Sequence, residues 1–151
     1  MAAGGARLMT GRNMTLHPDL SSLEPIGMGG FNAYVGPLLR DPAKQPGEEK
    51  RFAFLPEAKH LNGGGNLHGG LLMTLADNVL GLTVHEQTEG RIASTVTLNT
   101  DFLAGGVAGE PVWGRAAITR RTRSLIFVAG DLSQGGKLLL TATGIWKIIG
   151  A

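Results

Sequence analysis

One long apolar segment constrains the fold of this chain more than any other feature. From residue 70 to 86 the sequence reads GLLMTLADNVLGLTVHE, and its apolar residues fall on almost every side of a helix. A helix that is apolar all round is normally buried. The segment therefore predicts a central helix that the rest of the chain must cover.

Four strand-like runs follow this helix, separated by turn signals, at residues 91–103, 111–120, 124–132 and 137–149. Strict alternation in the first run places alternate side chains on one face of a strand. These side chains are Ile92, Ser94, Val96, Leu98, Thr100 and Phe102. The SQGG sequence at 133–136 is typical of a β-hairpin. One buried helix followed by an antiparallel sheet predicts an α+β fold with the sheet wrapped around the helix, which is the hot-dog architecture.

The N-terminal third is less regular. Residues 1–22 lack sustained periodicity and are predicted to be a flexible tail, which leaves 23–151 as a single domain. The FNAYVGPLL segment at 31–39 predicts a short helix or an extended stretch, 41–50 a loop, and 51–55 a short strand.

Composition excludes several classes of function. The formal charge of +2 gives no basic surface for nucleic acid, and without cysteine there are no disulfides or thiolate sites. His17, His60 and His85 are scattered without metal-ligand spacing. The first 20 residues lack a signal-peptide core, and the apolar stretch at 71–84 is too short to span a bilayer. We therefore expect a cytoplasmic protein that needs no metal and binds neither membrane nor nucleic acid.

Asp77 is the only formal charge between Lys59 and Glu86. Its neighbours at helical spacing are Gly70, Met73, Thr74, Leu80, Gly81 and Val84. Three interpretations are open: a surface residue, a buried structural carboxylate bonded to Thr74 or to a strand hydroxyl, or a catalytic group. A carboxylate in an apolar setting favours the third, a general base or nucleophile.

The predicted helix begins in a glycine-rich segment, NGGGNLHGG at 62–70. Three interpretations of this segment are open: a flexible turn, a phosphate loop, or an oxyanion hole at Gly69. Neither GxxxxGK[ST] nor GxGxxG fits it, which disfavours the phosphate loop. The first N–H groups of a helix have no internal partners, and glycine lets a ligand oxygen approach them. Gly70 and Gly81, on the side of Asp77, predict close approach of a ligand or of a second backbone.

The spacing of Gly69 and Asp77 predicts a shared site. Eight residues of helix separate them by about 12 Å, whereas a base and an oxyanion donor acting on one carbonyl lie about 6–7 Å apart at most. A two-fold dimer would set Asp77 of one subunit opposite Gly69 of the other. We expect a homodimer, or a dimer of such dimers.

Together these residues resemble the PaaI-like acyl-CoA thioesterases of the hot-dog superfamily over roughly residues 55–148. The resemblance continues through STVTLNTDFL at 94–103 and the last hairpin, although this chain has Ala104-Gly105 where relatives often have proline. The spaced motif consists of Asn62, Gly65, Leu67, His68, Gly69, Gly70, Leu75 and Asp77.

The resemblance implies hydrolysis of an acyl-CoA thioester without a metal or organic cofactor. Asp77 would be the base or nucleophile, and the Gly69 N–H would polarise the thioester carbonyl. Asn62 would orient the carbonyl or the water, and His68 would support the oxyanion hole. Thr95 would position the attacking water, from a strand face that alternation predicts to be opposite Val96 and Leu98.

Substrate binding is assigned to Gly70 and to the one basic cluster, Arg120, Arg121 and Arg123, as contacts for the CoA phosphates. Solvated charges at the end of a strand are an equal alternative for the arginines.

Two other functions are possible: a hot-dog hydratase or dehydratase, which needs a His–acid pair, and an acyl-CoA binding domain without catalytic activity. The acyl group, and CoA against acyl carrier protein, are left open.

Overall fold

A seven-stranded antiparallel sheet wraps around one long helix within residues 17–151, the part of the chain that the computed structural model describes. The prediction of an α+β fold is confirmed. The helices are α1 (Phe31–Val35) and α2 (Gly69–His85), with 3₁₀ turns at Pro18–Leu20 and Ala58–His60. The strands are β1 (Glu24–Pro25), β2 (Leu39–Arg40), β3 (Phe52–Phe54), β4 (Ala93–Phe102), β5 (Val112–Arg121), β6 (Leu125–Gln134) and β7 (Lys137–Ile148).

Among the described residues, the sheet covers one side of helix α2. The side that packs against the sheet is closed by buried residues: Leu72, Leu75, Ala76, Val79, Leu80, Thr83 and Val84. The opposite side is partly or fully exposed at Gly70, Met73, Thr74, Asp77, Asn78, Leu82 and His85. The expectation of a helix buried all round is therefore wrong for a single chain, because the sheet forms one layer.

The sheet order is β1-β2-β3-β5-β6-β7-β4, so among the strands of residues 17–151 β4 lies at an edge and pairs with β7 alone. The predicted β6–β7 hairpin is confirmed, with Gln134 opposite Lys137. Its two turn residues, Gly135 and Gly136, have φ of 57° and 76°. Positive φ at both positions is what a two-residue type I′ turn requires, and glycine adopts it without strain.

A β-bulge between Thr95 and Thr97 changes the phase of β4. Thr95 lies opposite Trp146 and Leu98 lies opposite Gly144, and these two β7 residues are on the same, helix-facing side of their strand. Facing residues of paired strands share a side of the sheet. Thr95 thus shares the side of Leu98, whereas strict alternation placed it on the opposite side.

The early strands fasten the C-terminal end of α2. Arg40 and the buried Arg51 both bind Glu86, at 3.0 and 2.7 Å.

Leu20 is buried against Leu39 and Ala53, so packed structure begins before the predicted boundary at residue 23. Residues 1–16 of the predicted tail lie outside the described part. In the described residues, no helix is both long and apolar enough to cross a bilayer.

Candidate active site

The N-terminus of α2 holds backbone donors that the helix itself leaves without partners. His68 is the N-cap, and its Nδ1 accepts a hydrogen bond of 2.8 Å from the Gly70 N–H. The Leu72 N–H donates to the His68 carbonyl at 3.2 Å. Among residues 17–151, the N–H of Gly69 has no hydrogen-bond acceptor. It is therefore available to an oxygen of a ligand, at the positive end of the helix dipole.

Gly69 lies against an aromatic ring, a contact that the sequence did not reveal. A Cβ on Gly69 would lie 3.3 Å from the ring of Phe102, tighter than ordinary carbon contacts. The ring is 52% exposed and borders the helix start. Gly70 is similarly crowded, since its Cβ would lie 3.0 Å from His68 Nδ1. The close neighbours of both glycines are the protein's own rings.

Gly81, one turn beyond Asp77, faces the protein's own sheet. A Cβ there would meet the Trp146 indole at 3.5 Å, an ordinary van der Waals distance. We expected Gly81 to allow close approach of a ligand or of a second backbone. In the single chain its neighbour is instead the Trp146 side chain.

Asn62 organises the glycine-rich loop. Its Oδ1 accepts hydrogen bonds from the N–H groups of Gly64 and Asn66, at 2.9 and 3.1 Å. The backbone of Asn62 also pairs with Asn66, at 2.7 Å. Within the described chain Nδ2 donates to nothing, so this exposed amide keeps two donors for a ligand.

Asp77 and Thr95 meet between the middle of α2 and the edge strand. Thr95 Oγ1 donates a hydrogen bond of 2.9 Å to Asp77 Oδ1. The bulge described above creates this contact, because it turns Thr95 toward the helix. The second carboxylate oxygen and the lone pairs of the threonine hydroxyl remain free to bind a water. The pair lies on the open side of α2.

The structure thus assembles two groups of predicted residues that do not meet in one chain. Asn62, His68 and Gly69 surround the helix start, and Asp77 with Thr95 lies about two turns further on. Helix α2 is continuous from Gly69, so eight residues of helix place about 12 Å between Gly69 and Asp77. In the described part of the chain, no three His, Asp or Glu side chains are grouped to hold a metal.

The arginine cluster lies where β5 ends and the chain turns into β6. Arg121, Ile126, Trp146 and Thr95 face one another in succession across four strands. Three strand spacings put the Arg121 backbone about 14 Å from that of Thr95. Arg121 is therefore on the helix side, whereas Arg120 lies opposite Phe127 on the outer side.

A second cavity, of about 700 Å³, is distant from these groups. It lies on the outer side of the sheet, around Trp113, Arg115 and Asp131. Arg115 binds Asp131 at 2.9 Å, and this hydrogen bond raises the pKa of the guanidinium further above its ordinary value. Because these charges already pair with each other, they are not a convergent set for a substrate, and the helix start is the better candidate.

The comparisons with known proteins agree with this fold. The family model described as the thioesterase superfamily matches residues 64–141, which is 78 of the 151 residues. This chain belongs to the thioesterase superfamily and is, in class, a thioester hydrolase, as the sequence predicted.

Particular relatives include human acyl-coenzyme A thioesterase 13, 30% identical over 88 residues, or 58% of this chain. The chain covers 63% of that enzyme's length, somewhat under two thirds. The phenylacetic acid degradation-related protein of Ralstonia eutropha JMP134 is 29% identical, with a TM-score of 0.63 over 87% of this chain and 91% of that one. The Escherichia coli PaaI protein of the phenylacetic acid degradation operon is 25% identical, with a TM-score of 0.62 over 66% and 72%. The predicted likeness to PaaI-like proteins is confirmed.

Proposed function

We propose that this protein hydrolyses acyl-CoA thioesters to the free acid and CoA. The observation that carries the proposal is the Thr95–Asp77 hydrogen bond on the open side of α2, where a carboxylate and a hydroxyl can hold one water. The name of the human relative, an acyl-coenzyme A thioesterase, supports CoA as the carrier of the acyl group.

Each residue has a distinct part in the proposed reaction. Asp77 acts as the base that takes a proton from water, or as the nucleophile itself. In the first case Thr95 accepts the second hydrogen of the water and directs its lone pair at the thioester carbon. The Gly69 N–H stabilises the oxyanion of the tetrahedral intermediate, and Asn62 Nδ2 orients the carbonyl. The C–S bond then breaks, and CoA leaves as a thiolate of moderate basicity.

His68 acts on the geometry of the site. Its Nδ1 accepts from the Gly70 N–H, so in the neutral ring the proton is on Nε2. This cap occupies one N-terminal donor and leaves the neighbouring Gly69 N–H for the substrate. A hydratase would need a His–acid pair. Here the partner of Asp77 is Thr95, and nine residues of helix separate Asp77 from His68, which favours the hydrolase.

Two subunits are proposed to share each site, because one chain cannot place Gly69 and Asp77 around the same carbonyl. Strand β4 offers ten residues of open edge next to the open side of α2. A long edge strand of this kind is prone to pair with another chain. A second copy paired there across a two-fold axis would align the two α2 helices antiparallel. Each Asp77 would then face the partner's Gly69.

A CoA-release assay tests the proposed activity. Purified protein is incubated with acetyl-, hexanoyl-, phenylacetyl- and palmitoyl-CoA, and free thiol is measured with a chromogenic disulfide reagent. The chain has no cysteine, so protein thiols add no background. We expect thiol release from at least one ester. Binding of all four esters without thiol release would instead identify a non-catalytic acyl-CoA binding domain.

Among the arginines, Arg121 is proposed to contact the CoA phosphates, because it lies on the helix side in the row of Thr95. Arg121→Ala is expected to raise KM for CoA esters about two- to fivefold, the size of one exposed ion pair, with little change in kcat. The effect should shrink as salt is added. Arg120→Ala, on the outer side of the same strand, is the matched control and should leave KM unchanged. Equal KM values for both variants would reject the assignment.

A further inference from the structure

A cavity of about 380 Å³ opens beside the start of α2. The aromatic side chains of Phe31 and Tyr34, on α1, form one wall. His68 and Gly70 line it at the helix start, adjoining the Gly69 N–H. The remaining surface is mostly apolar and is formed by Val35, Lys59, His60, Leu61, Leu71 and Thr74. An acyl group whose carbonyl rests on Gly69 would thus have an apolar space directly beside it.

The α1 wall is fastened in place by polar contacts. Asn78, on α2, donates from Nδ2 to Asn32 Oδ1 at 2.8 Å. Both ring nitrogens of His60 are hydrogen-bonded. Nδ1 accepts from the Glu57 N–H at 2.8 Å, and Nε2 therefore donates to the Val35 carbonyl, also at 2.8 Å. Both contacts lie at α1 itself. The position of the α1 backbone, which carries the two aromatic residues, is therefore set by the body of the domain.

Packing within the described part of the chain does not explain the two aromatic residues of this wall. Phe31 is 65% exposed and Tyr34 is 83% exposed, and α1 contains no buried residue. Large exposed apolar side chains gathered beside a cavity are a common sign of a binding surface. By contrast, Leu72 and Leu80 of α2, which could have shaped an acyl pocket, are buried in the core.

We infer that α1 is the wall that selects the acyl group, with Tyr34 and Phe31 as the residues that limit its size. The inference rests on the proposed thioesterase function and names its substrate class. A volume of about 380 Å³ is near the lower end of ligand cavities, which run from about 300 to 1,000 Å³. We expect the cavity to suit a medium-chain acyl group, or one with a single aromatic ring, better than a long fatty chain.

Two variants of opposite effect test the inference. In the wild type, kcat/KM should rise about fourfold for each added methylene while the cavity fills, and fall for palmitoyl-CoA. Tyr34→Ala opens the wall and should raise the palmitoyl-to-hexanoyl ratio of kcat/KM by about tenfold or more. Thr74→Leu fills the cavity and should lower the hexanoyl-to-acetyl ratio of kcat/KM. Ile149→Ala, at an exposed aliphatic residue near the C-terminus, is the control and should change neither ratio.

Binding measurements separate this inference from the proposed function. The Kd values of the same esters are measured by calorimetry on Asp77→Asn protein, with and without Tyr34→Ala and Thr74→Leu. If the wild type releases no CoA from any ester, the proposed hydrolysis is rejected, and the Kd ratios alone then decide the role of the wall. If both variants leave the chain-length ratios within about twofold of their parent, the α1 wall is rejected even when hydrolysis is efficient.

Discussion

Replacing Asp77 by Asn is expected to lower kcat for acyl-CoA hydrolysis by about 10²–10⁴-fold while the protein stays folded. The amide has the same shape and can still accept the hydrogen bond from Thr95 Oγ1, but it cannot take a proton or attack the thioester. Because Asp77 lies on the open side of α2, the substitution leaves no buried charge without a partner. The kcat is measured by thiol release, and folding by circular dichroism and Tm.

Asp101→Asn is the matched control for this prediction. Asp101 is an exposed carboxylate on β4, the strand that carries Thr95. It lies opposite Thr141, on the outer side of the sheet. It should retain wild-type kcat. Near-normal turnover by a well-folded Asp77→Asn variant would remove Asp77 from the mechanism.

Two inactive variants are expected to recover activity when their subunits are mixed. The first is Asp77→Asn, and the second is Asn62→Asp. The latter keeps an oxygen that can accept from Gly64 and Asn66 but loses the Nδ2 donors proposed for the substrate. With random pairing about half of the dimers are mixed, and one of the two sites in each mixed dimer carries neither defect. Activity should therefore return to roughly one quarter of wild type after joint unfolding and refolding.

The dimer geometry can be checked without activity. If a two-fold axis sets Gly69 opposite the partner's Asp77, the residue midway between them lies on the axis and meets its own copy. That residue is Met73, which is 39% exposed in the single chain. In a protein without cysteine, Met73→Cys should cross-link with a short bis-maleimide reagent into a covalent dimer. Leu138→Cys, an exposed residue at the start of β7, should not.

These two experiments can fail separately. Absence of recovered activity in a refolded mixture that contains mixed dimers would mean that each subunit holds a complete site. Absence of the Met73→Cys cross-link would reject the antiparallel arrangement of the α2 helices across the axis. Recovery together with the cross-link would support the shared site from both function and geometry.

Local signals in the sequence were sufficient for most of the secondary structure and for the candidate residues. Helix α2 is visible as a mainly apolar segment that begins after a glycine-rich stretch, and its observed start at Gly69 is one residue before the expected one. The β6–β7 turn is visible because two adjacent glycines satisfy a backbone requirement that few other residues meet. Asp77 stands out because a charge in such a segment needs a reason.

Only the tertiary structure decided how these elements face one another. Thr95 reaches Asp77 because one extra residue in β4 reverses the alternation of side chains, and a bulge of this kind has no reliable local signal. Likewise, a helix that is apolar on nearly every side carries no information on which side its own sheet covers. The open side of α2 and the cavity under α1 depend on packing between segments distant in sequence, such as Asn32 with Asn78. Sequence periodicity reports the local backbone, whereas these features depend on long-range contacts.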